Sequence, residues 1–246
     1  MLGLGSSLGS LPVLSGYTNS HHAEFDGSSQ YIETNANLQS ILRESFTIAF
    51  WVRLDDGVAN PGQNFIGVRA SSSEQFNIGI GKNNGALLFF LKGANDPHLE
   101  TTDTAVFADG VNDWKHIAVT MDKSGDPATS IIYVDGDVFS STTGSTITNL
   151  NQGALNISSA RAFIGAISNA GTAAEFMDGG MDEVAVWSTA LHPSIIAKVA
   201  VAGADLLDVA ATSLEHWWQL NNDVTEAAGG VDGTNQGATF GTSVAS

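Results

Sequence analysis

The stretch GGMDEVAVWSTAL, residues 179–191, alternates with a period of two. An extended chain would place two sets of side chains on opposite sides: Asp182, Val184 and Val186 against Glu183, Ala185 and Trp187. This alternation is typical of a β-strand with two unlike faces. The stretch therefore predicts a strand, with one face in the protein core and the other on a sheet surface.

Similar signals recur along the chain. AEFDGSSQYIET (23–34) predicts a strand, a tight turn at Asp26–Gly27 and a second strand. SFTIAFWVRL (45–54) also alternates, and we expect its larger apolar side chains to point inward: Phe46, Ile48, Phe50 and Val52. Short strands separated by turn residues at this spacing favour a two-sheet sandwich.

One segment departs from the strand pattern. LHPSIIAKVAVAGADLLDVAAT (191–212) has helix-forming composition, with Pro193 suited to a first turn and Gly203 to a stop. It predicts a helix over 192–203, or two short helices near 192–210. The expected fold class is all-β, an antiparallel jelly-roll sandwich with these helices added.

Composition and charge exclude several classes of function. The 246 residues include 9 basic and 26 acidic side chains, a formal net charge of −17, and no cysteine. Such a surface repels phosphate backbones and anionic lipids, so we expect neither nucleic-acid binding nor membrane insertion. The first residues lack the basic start of a signal peptide, and no apolar run is long enough to span a membrane.

The chain divides into an arm and one domain. Residues 1–20 are rich in Gly, Ser and Leu, and we expect this N-terminal arm to dock on neighbouring chains. Residues 21–246 form a single predicted domain with its core at 22–200. The segment 214–246 returns to strand and turn chemistry and is expected to complete the sandwich.

The ordered set of AEFDGSSQYIET, SFTIAFWVRL, WKHIAVTMD, IIYVDGD, FIGA and GGMDEVAVWSTALHPSII resembles the laminin-G-like, concanavalin A-like jelly-roll family over residues 22–200. In that family the FDG turn opens the domain, and a strand like DEVAVW closes it before a short helix. A strand like HWWQL precedes the FDG element in many members, whereas here it follows the domain at 216–220. This order suggests a natural permutation.

The layout also resembles structural proteins of tailed, particularly marine, phages, because MLGLGSSL precedes the domain and a WW segment follows it. This resemblance implies a non-enzymatic virion protein, a capsid decoration or tail-associated subunit. It would be made in the host cytoplasm, displayed on the virion surface as an oligomer, and joined to other virion proteins through the arm. The alternative is a carbohydrate-binding adhesin for a host glycan, and the third hypothesis is a polysaccharide-cleaving enzyme.

Catalytic patterns are weak. The resemblance implies that laminarinase-type enzymes of this fold carry Glu-x-Asp-x-x-Glu or Glu-x-Asp-x-Glu on one strand. The densest acidic stretch, EFMDGGMDE, does not have that spacing: Glu175, Asp178, Asp182 and Glu183. His116 follows a Trp–Lys pair in a predicted strand, and we expect it to be a packed polar side chain.

Calcium is the metal that the resemblance implies, because members of the fold hold Ca²⁺ between the opening turn and the closing strand. The matching ligands are Asp26, the Gly27 carbonyl and Asp182, all hard oxygen donors. The alternative is that Asp26 makes a turn and Asp182 caps a strand. A second candidate set comprises Asp55–Asp56, Asp135 and Asp137.

Tryptophan supplies the candidate ligand contacts. In a strand, adjacent Trp217 and Trp218 face opposite ways, so one of them should face outward. An outward indole can stack on a sugar or contact a protein neighbour, and the neighbour is the favoured partner because no sugar-binding cluster surrounds the pair.

Overall fold

The computed structural model describes residues 17–59, 61–81, 84–93, 97–125, 128–145, 155–157 and 160–242. Within these ranges the chain forms two sheets and three short helices. Sheet A contains eight strands: β1 (His22–Asp26), β3 (Phe46–Leu54), β8 (Lys115–Asp122), β9 (Thr129–Val134), β10 (Asp137–Val138), β15 (Asp178–Trp187), β16 (Leu214–Trp218) and β18 (Thr239–Gly241).

Sheet B contains ten strands, and the helices lie outside both sheets. The strands are β2 (Tyr31–Glu33), β4 (Asn64–Ser71), β5 (Glu74–Ile80), β6 (Leu87–Lys92), β7 (Pro97–Thr102), β11 (Ser141–Ser145), β12 (Phe163–Ile164), β13 (Ile167–Asn169), β14 (Thr172–Ala174) and β17 (Thr234–Gln236). The helices are α1 (Gln39–Leu42), α2 (Pro193–Val199) and α3 (Leu206–Val209).

Strand order confirms the predicted antiparallel sandwich. Sheet A runs β10-β9-β8-β3-β15-β1-β18, with β16 added to β15. Sheet B runs β11-β7-β6-β5-β4-β12-β2-β17. The pairings between the named strands are antiparallel except that of β13 with β4. Among the described residues, no helix has both the length and the hydropathy needed to cross a bilayer.

The main core lies between the sheets. The inward face predicted for β3 is confirmed, because Ile48, Phe50 and Val52 are fully buried there. Phe50 meets Phe65 of sheet B edge to face, with ring centroids 5.7 Å apart. Burying a side chain of this size stabilises the fold by about 1.5–3 kcal/mol, so the facing aromatic and aliphatic rows hold the sheets together.

A second apolar layer covers the outer face of sheet A. Trp187 lies there with Ile196 of α2 and Leu206 of α3, and its indole Nε1 donates to the Ala210 carbonyl at 2.8 Å. The predicted helical segment is confirmed as two short helices. α2 begins after the His192 cap with Pro193 in its first turn, as Pro at that position favours.

The closing strand contains a β-bulge that the alternation did not predict. Between Asp182 and Ala185 the register with β3 shifts, and Glu183 adopts a left-handed φ of 54°. Val184 points into the main core. The prediction that Asp182 shares that side is wrong, because the extra residue of the bulge leaves both Asp182 and Glu183 on the outer face.

The C-terminal segment supplies strands to both sheets. β16 pairs with the second half of β15, and β18 pairs with β1 in sheet A. β17 pairs with β2 in sheet B. Residues 214–242 therefore belong to the same sandwich as the strands that begin at His22.

Candidate functional site

The two adjacent tryptophans are both buried, so the prediction that one of them faces outward is wrong. Trp218 points into the main core and is 0% exposed, whereas Trp217 points to the outer face of sheet A and is 1% exposed. The alternation itself holds. The alternation does not indicate that other segments cover this face. Tyr17 and helices α2 and α3 lie over it, and the ring centroids of Tyr17 and Trp217 are 5.1 Å apart. A buried indole offers no face on which a sugar could stack.

The bulge forms a buried acidic cluster with the end of the N-terminal arm. The Tyr17 hydroxyl donates to Glu183 Oε1, and Trp217 Nε1 donates to Glu183 Oε2 at 2.5 Å. Asn19 Nδ2 donates to Asp182 Oδ2 at 2.7 Å. Residues 1–16, where most of the arm lies, are outside the described ranges. The described end of the arm, through Tyr17 and Asn19, forms hydrogen bonds with the chain's own domain.

Burial controls the charge of this cluster. It raises the pKa of Asp182 to about 7 against the hydrogen bond from Asn19. Burial, then the charge of Asp182, raises the pKa of Glu183 to about 8, although Tyr17 and Trp217 donate to it. A carboxyl that loses water without gaining a cation favours its neutral form. The cluster therefore carries a full negative charge only in alkaline solution.

The predicted calcium ligands do not come together. Asp26 pairs across the strands with Asp178, not with Asp182. Asp182 lies four residues further along β15, which at a strand rise of 3.3 Å is roughly 13 Å away. Among the described residues, no three His, Asp or Glu side chains converge in a metal-binding arrangement. The set of Asp26, Gly27 and Asp182 therefore does not fit a calcium ion.

Asp26 instead stabilises its own turn, which is the alternative that the sequence left open. Its Oδ1 accepts the backbone N–H groups of Ser28, Ser29 and Gln30 at 2.9, 2.8 and 3.1 Å, and its Oδ2 accepts the Ser29 hydroxyl. Desolvation alone would raise the pKa of this carboxyl, but these donors hold it far below its ordinary value. Gly27 follows with a φ of 68°, a left-handed conformation that glycine adopts without strain.

A solvent-open cavity, which we call the rim pocket, lies where this turn meets the start of β15. Its empty space, counted out into the open solvent, is about 670 Å³. Three segments line it, namely the β1–β2 turn, the loop after β3 and the residues that lead into β15: Asp26, Gly27, Asp56, Ala59, Pro61, Gln63, Glu175, Phe176 and Asp178. Four carboxylates and one partly buried aromatic ring, that of Phe176, therefore line one opening.

Hydrogen bonds from Gln63 hold two sides of the rim pocket together. Gln63 Oε1 accepts the Asp178 N–H at 2.8 Å, and its Nε2 donates to the Asp56 carbonyl at 3.0 Å. Burial, followed by the charges of Asp55, Asp56 and Asp26, raises the pKa of Asp178. The second predicted acidic set, Asp55–Asp56 with Asp135 and Asp137, does not form one site. Asp56 lines the pocket, whereas Asp135 follows β9 and accepts a hydrogen bond from Lys115 Nζ at 3.0 Å.

A polar row crosses the outer face of sheet B beside the pocket. Arg69, Gln75 and Lys92 are register partners on β4, β5 and β6, and we call them the Arg69 row. Arg69 Nε donates to Gln75 Oε1 at 2.9 Å. Glu175 connects the row to the pocket, because its Oε1 lies 3.5 Å from Arg69 Nη2. No local sequence pattern predicts this row, since its members are single polar positions on separate strands.

His116 is packed, as predicted. It is 1% exposed and meets the Trp51 ring edge to face at a centroid distance of 5.3 Å. Burial lowers its pKa to about 4, against the opposing charge of Asp135. The imidazole is neutral at physiological pH.

These features agree with the family comparison. Residues 26–197, well over half of the chain, match the Laminin_G_3 model of the concanavalin A-like lectin/glucanases superfamily. The chain belongs to this family. No curated protein matches it significantly.

Solved structures support the same fold at low sequence identity. A candidate carbohydrate-binding protein from Bacteroides ovatus aligns with a TM-score of 0.66 and 19% identity over 93% of this chain, which spans 62% of that protein. The heptameric SAP-like pentraxin of Limulus polyphemus aligns with a TM-score of 0.53 and 12% identity. The alignment covers 92% of this chain and 96% of the pentraxin chain. The CBM40 of Ruminococcus gnavus IT-sialidase, bound to α2,3-sialyllactose, aligns with a TM-score of 0.56 and 14% identity. The alignment covers 73% of this chain and 97% of the CBM40 chain. Identities this low show the fold alone.

Proposed function

We propose that this chain is a non-enzymatic, lectin-like carbohydrate-binding module, and that a neutral sugar binds in the rim pocket. The observation that carries the proposal is the pocket itself, which combines several carboxylates with one aromatic ring at a solvent-open edge of a concanavalin A-like sandwich. Carboxylate oxygens accept hydrogen bonds from sugar hydroxyls, and an aromatic face packs against the apolar face of a pyranose ring.

The pocket residues divide into supporting and contacting groups. Asp26 and Gln63 hold the backbone, since their polar atoms bond to the turn and to β15. Asp178, and Asp56 through the carboxylate oxygen that does not accept the Val58 N–H, are therefore assigned to the sugar hydroxyls. Phe176 lies beside the Tyr31 ring at a centroid distance of 6.4 Å and is assigned to the sugar face.

The described relatives support the class of ligand but not its identity. One is a candidate carbohydrate-binding protein, and another is a sialidase module that holds sialyllactose. The rim pocket differs from a site for an acidic sugar, because four carboxylates line it and would repel one. We therefore assign an uncharged sugar to the pocket.

A glycan array followed by calorimetric titration tests the proposal. Asp178→Asn should weaken binding of the neutral ligand by about 10- to 100-fold, because a hydrogen bond to a charged acceptor contributes about 1.5–3 kcal/mol. Asp137→Asn on β10, at the opposite edge of sheet A, removes the same charge and should leave binding unchanged. Equal loss in both variants, or no glycan bound by the wild-type chain, would refute the proposal.

Calcium dependence is tested in the same titration. The predicted ligand set does not converge, so we expect EDTA to leave neutral-sugar binding unchanged. Loss of binding in EDTA that is restored by Ca²⁺ would show that a cation takes part after all, through carboxylates other than the predicted set.

Glycoside hydrolysis is a second candidate, because Asp26 and Asp178 are cross-strand partners whose pKa values are displaced in opposite directions. Carboxyls with divergent pKa values supply the acid and the nucleophile of glycosidases. Against it, both oxygens of Asp26 are bonded within its own turn and are not free to attack a sugar. Release of reducing ends from a bound polysaccharide, abolished by Asp178→Asn, would establish the enzyme instead.

The virion role stays a prediction. It rests on the arm, of which only the end is described, and on a resemblance in layout. A chain that lacks residues 1–16 should fold normally but fail to enter particles, if the arm joins neighbouring virion proteins. Normal incorporation of the shortened chain would contradict that role.

A further inference from the structure

The Arg69 row places two cations on one face of a strongly acidic protein. Arg69 and Lys92 flank Gln75 in register on adjacent strands, so their Cα atoms are roughly 10 Å apart. Their strand neighbours Val68 and Leu91 are buried in the core, which directs both cations to the outer face. The row stands out against a net charge of −17.

These cations differ from those of sheet A in their partners. Arg53 binds the carboxylates of both Glu24 and Asp55, and Lys115 binds Asp135. In the row, Lys92 Nζ donates to the Ser72 carbonyl at 2.8 Å, and Arg69 lies at a long 3.5 Å from its one described carboxylate, that of Glu175. The row therefore retains more capacity for an external anion.

The guanidinium of Arg69 is held in a fixed orientation. Its Nε donates to Gln75 Oε1, and Gln75 Nε2 donates in turn to Asn77 Oδ1 at 2.6 Å. Nη2 also donates to Glu175 Oε1 at 3.5 Å, so Nη1 and the remaining N–H of Nη2 are the part of the fork that can face a ligand. A fixed planar fork suits a planar carboxylate, which it can bind through two parallel hydrogen bonds.

An apolar surface lies next to the row. Phe90 is two residues from Lys92 on the same face of β6 and is partly buried, and it pairs in register with Asn77. Leu99 of β7 is its partner on the other side. An aromatic ring beside fixed amide and guanidinium groups can accommodate a pyranose ring and its polar substituents.

We propose that the Arg69 row and Phe90 form a second subsite, adjacent to the rim pocket, that binds the carboxylate-bearing sugar of an acidic glycan. This inference rests on the proposed carbohydrate-binding function and adds a ligand class to it. The carboxylate lies between Arg69 and Lys92, and the ring packs on Phe90. Glu175 separates this subsite from the pocket, so a neutral and an acidic sugar occupy neighbouring positions. At 0.15 M salt the Debye length is about 8 Å, which limits repulsion from the distant acidic surface.

The test measures affinity by titration at 0.15 M salt for matched probes. The carboxylated probes are trigalacturonate and α2,3-sialyllactose, and their neutral counterparts are carboxyl-reduced trigalacturonate and lactose. We expect at least one carboxylated probe to bind 10-fold or more tightly than its counterpart. Arg69→Gln should abolish that preference, and Lys92→Gln should reduce it. Lys115→Gln, which removes one charge from sheet A, should retain it.

Three results would overturn the subsite: no preference for either carboxylated probe, an unchanged preference in Arg69→Gln, or tighter binding of sulfated lactose than of the carboxylated probes. Urea unfolding of each variant separates lost binding from lost folding. Failure of the pocket is distinguishable, because Asp178→Asn would then leave lactose binding intact. In that case Arg69→Gln would still remove the carboxylate preference.

Discussion

The buried Asp182–Glu183 cluster predicts a stability that falls as the pH rises, and Glu183→Gln should remove much of that fall. In the folded chain the pKa of Glu183 is raised to about 8 by burial and by the charge of Asp182. A glutamate in the unfolded chain titrates near 4.3. The protonated form therefore stabilises the fold fully below the unfolded value, and this contribution is lost as the pH rises through 8.

The size of the effect follows from the two pKa values. Between pH 6 and pH 8 the unfolded glutamate is ionised while the folded one still holds most of its proton, so each pH unit costs up to about 1.4 kcal/mol. We expect Glu183 to lower the free energy of unfolding by about 2 kcal/mol across this interval. Asp182, with its pKa raised to about 7, lowers it by roughly 1 kcal/mol more.

Two histidines stabilise the fold more at higher pH, opposite to the effect of Glu183. Their contribution is removed by comparing the wild type with a variant that keeps both histidines. Burial lowers the pKa of His116 and of His216, so their contribution is present above about pH 6.5 and is lost as the pH falls through the lowered values. Both histidines remain in the variant. The difference between the wild-type and Glu183→Gln profiles therefore isolates the glutamate.

Urea unfolding followed by tryptophan fluorescence at pH 6, 7 and 8 provides the measurement. The Glu183→Gln profile should be flatter than that of the wild type by about 2 kcal/mol between pH 6 and pH 8. Glu215→Gln, an exposed change on the neighbouring strand, should leave the wild-type slope intact. Parallel profiles for wild type and Glu183→Gln would refute the assignment of a buried, protonated carboxyl at the bulge.

Three further variants test the packing, each by urea unfolding. Trp218→Ala should lower the free energy of unfolding by about 3–5 kcal/mol because it empties a site in the main core, and a loss below 1 kcal/mol would contradict its burial. Gly27→Ala should cost about 1–2 kcal/mol, since its Cβ would lie 2.9 Å from that of Asp178 at a φ of 68°, and an unchanged stability would show that the turn relaxes. Tyr17→Phe should cost about 1–3 kcal/mol at pH 8, where it leaves Glu183 without one donor, and wild-type stability there would argue against that hydrogen bond.

Much of the fold could be predicted from local pattern. The inward row of β3, the turn at Asp26–Gly27 and the helical segment from Pro193 were each visible as alternation, turn chemistry or capping residues. These signals depend on residues close in sequence, and the structure retains them because each agrees with the burial that the sandwich imposes.

The candidate site was less predictable, because it depends on which strands pair and in which register. The family resemblance predicts Asp26 and Asp182 as neighbouring calcium ligands, but the observed register places Asp26 opposite Asp178. The bulge at Glu183 also separates Asp182 from the side of the strand that Val184 presents to the core. A single extra residue in one strand changes the face of every side chain before it, and nothing in the alternation marks where that residue lies.

Sequence alone determined that this chain forms short, two-faced antiparallel strands with an acidic surface, since periodicity and charge are properties of the residues themselves. Tertiary structure decided that Trp217 is covered by Tyr17 and two helices, that four carboxylates share one pocket, and that Arg69 lies in register with Lys92. The physical reason is the distance along the chain over which each kind of interaction acts. Backbone preference and hydrophobic period act between near neighbours, whereas a site is assembled by pairing and packing between segments that are distant in the chain.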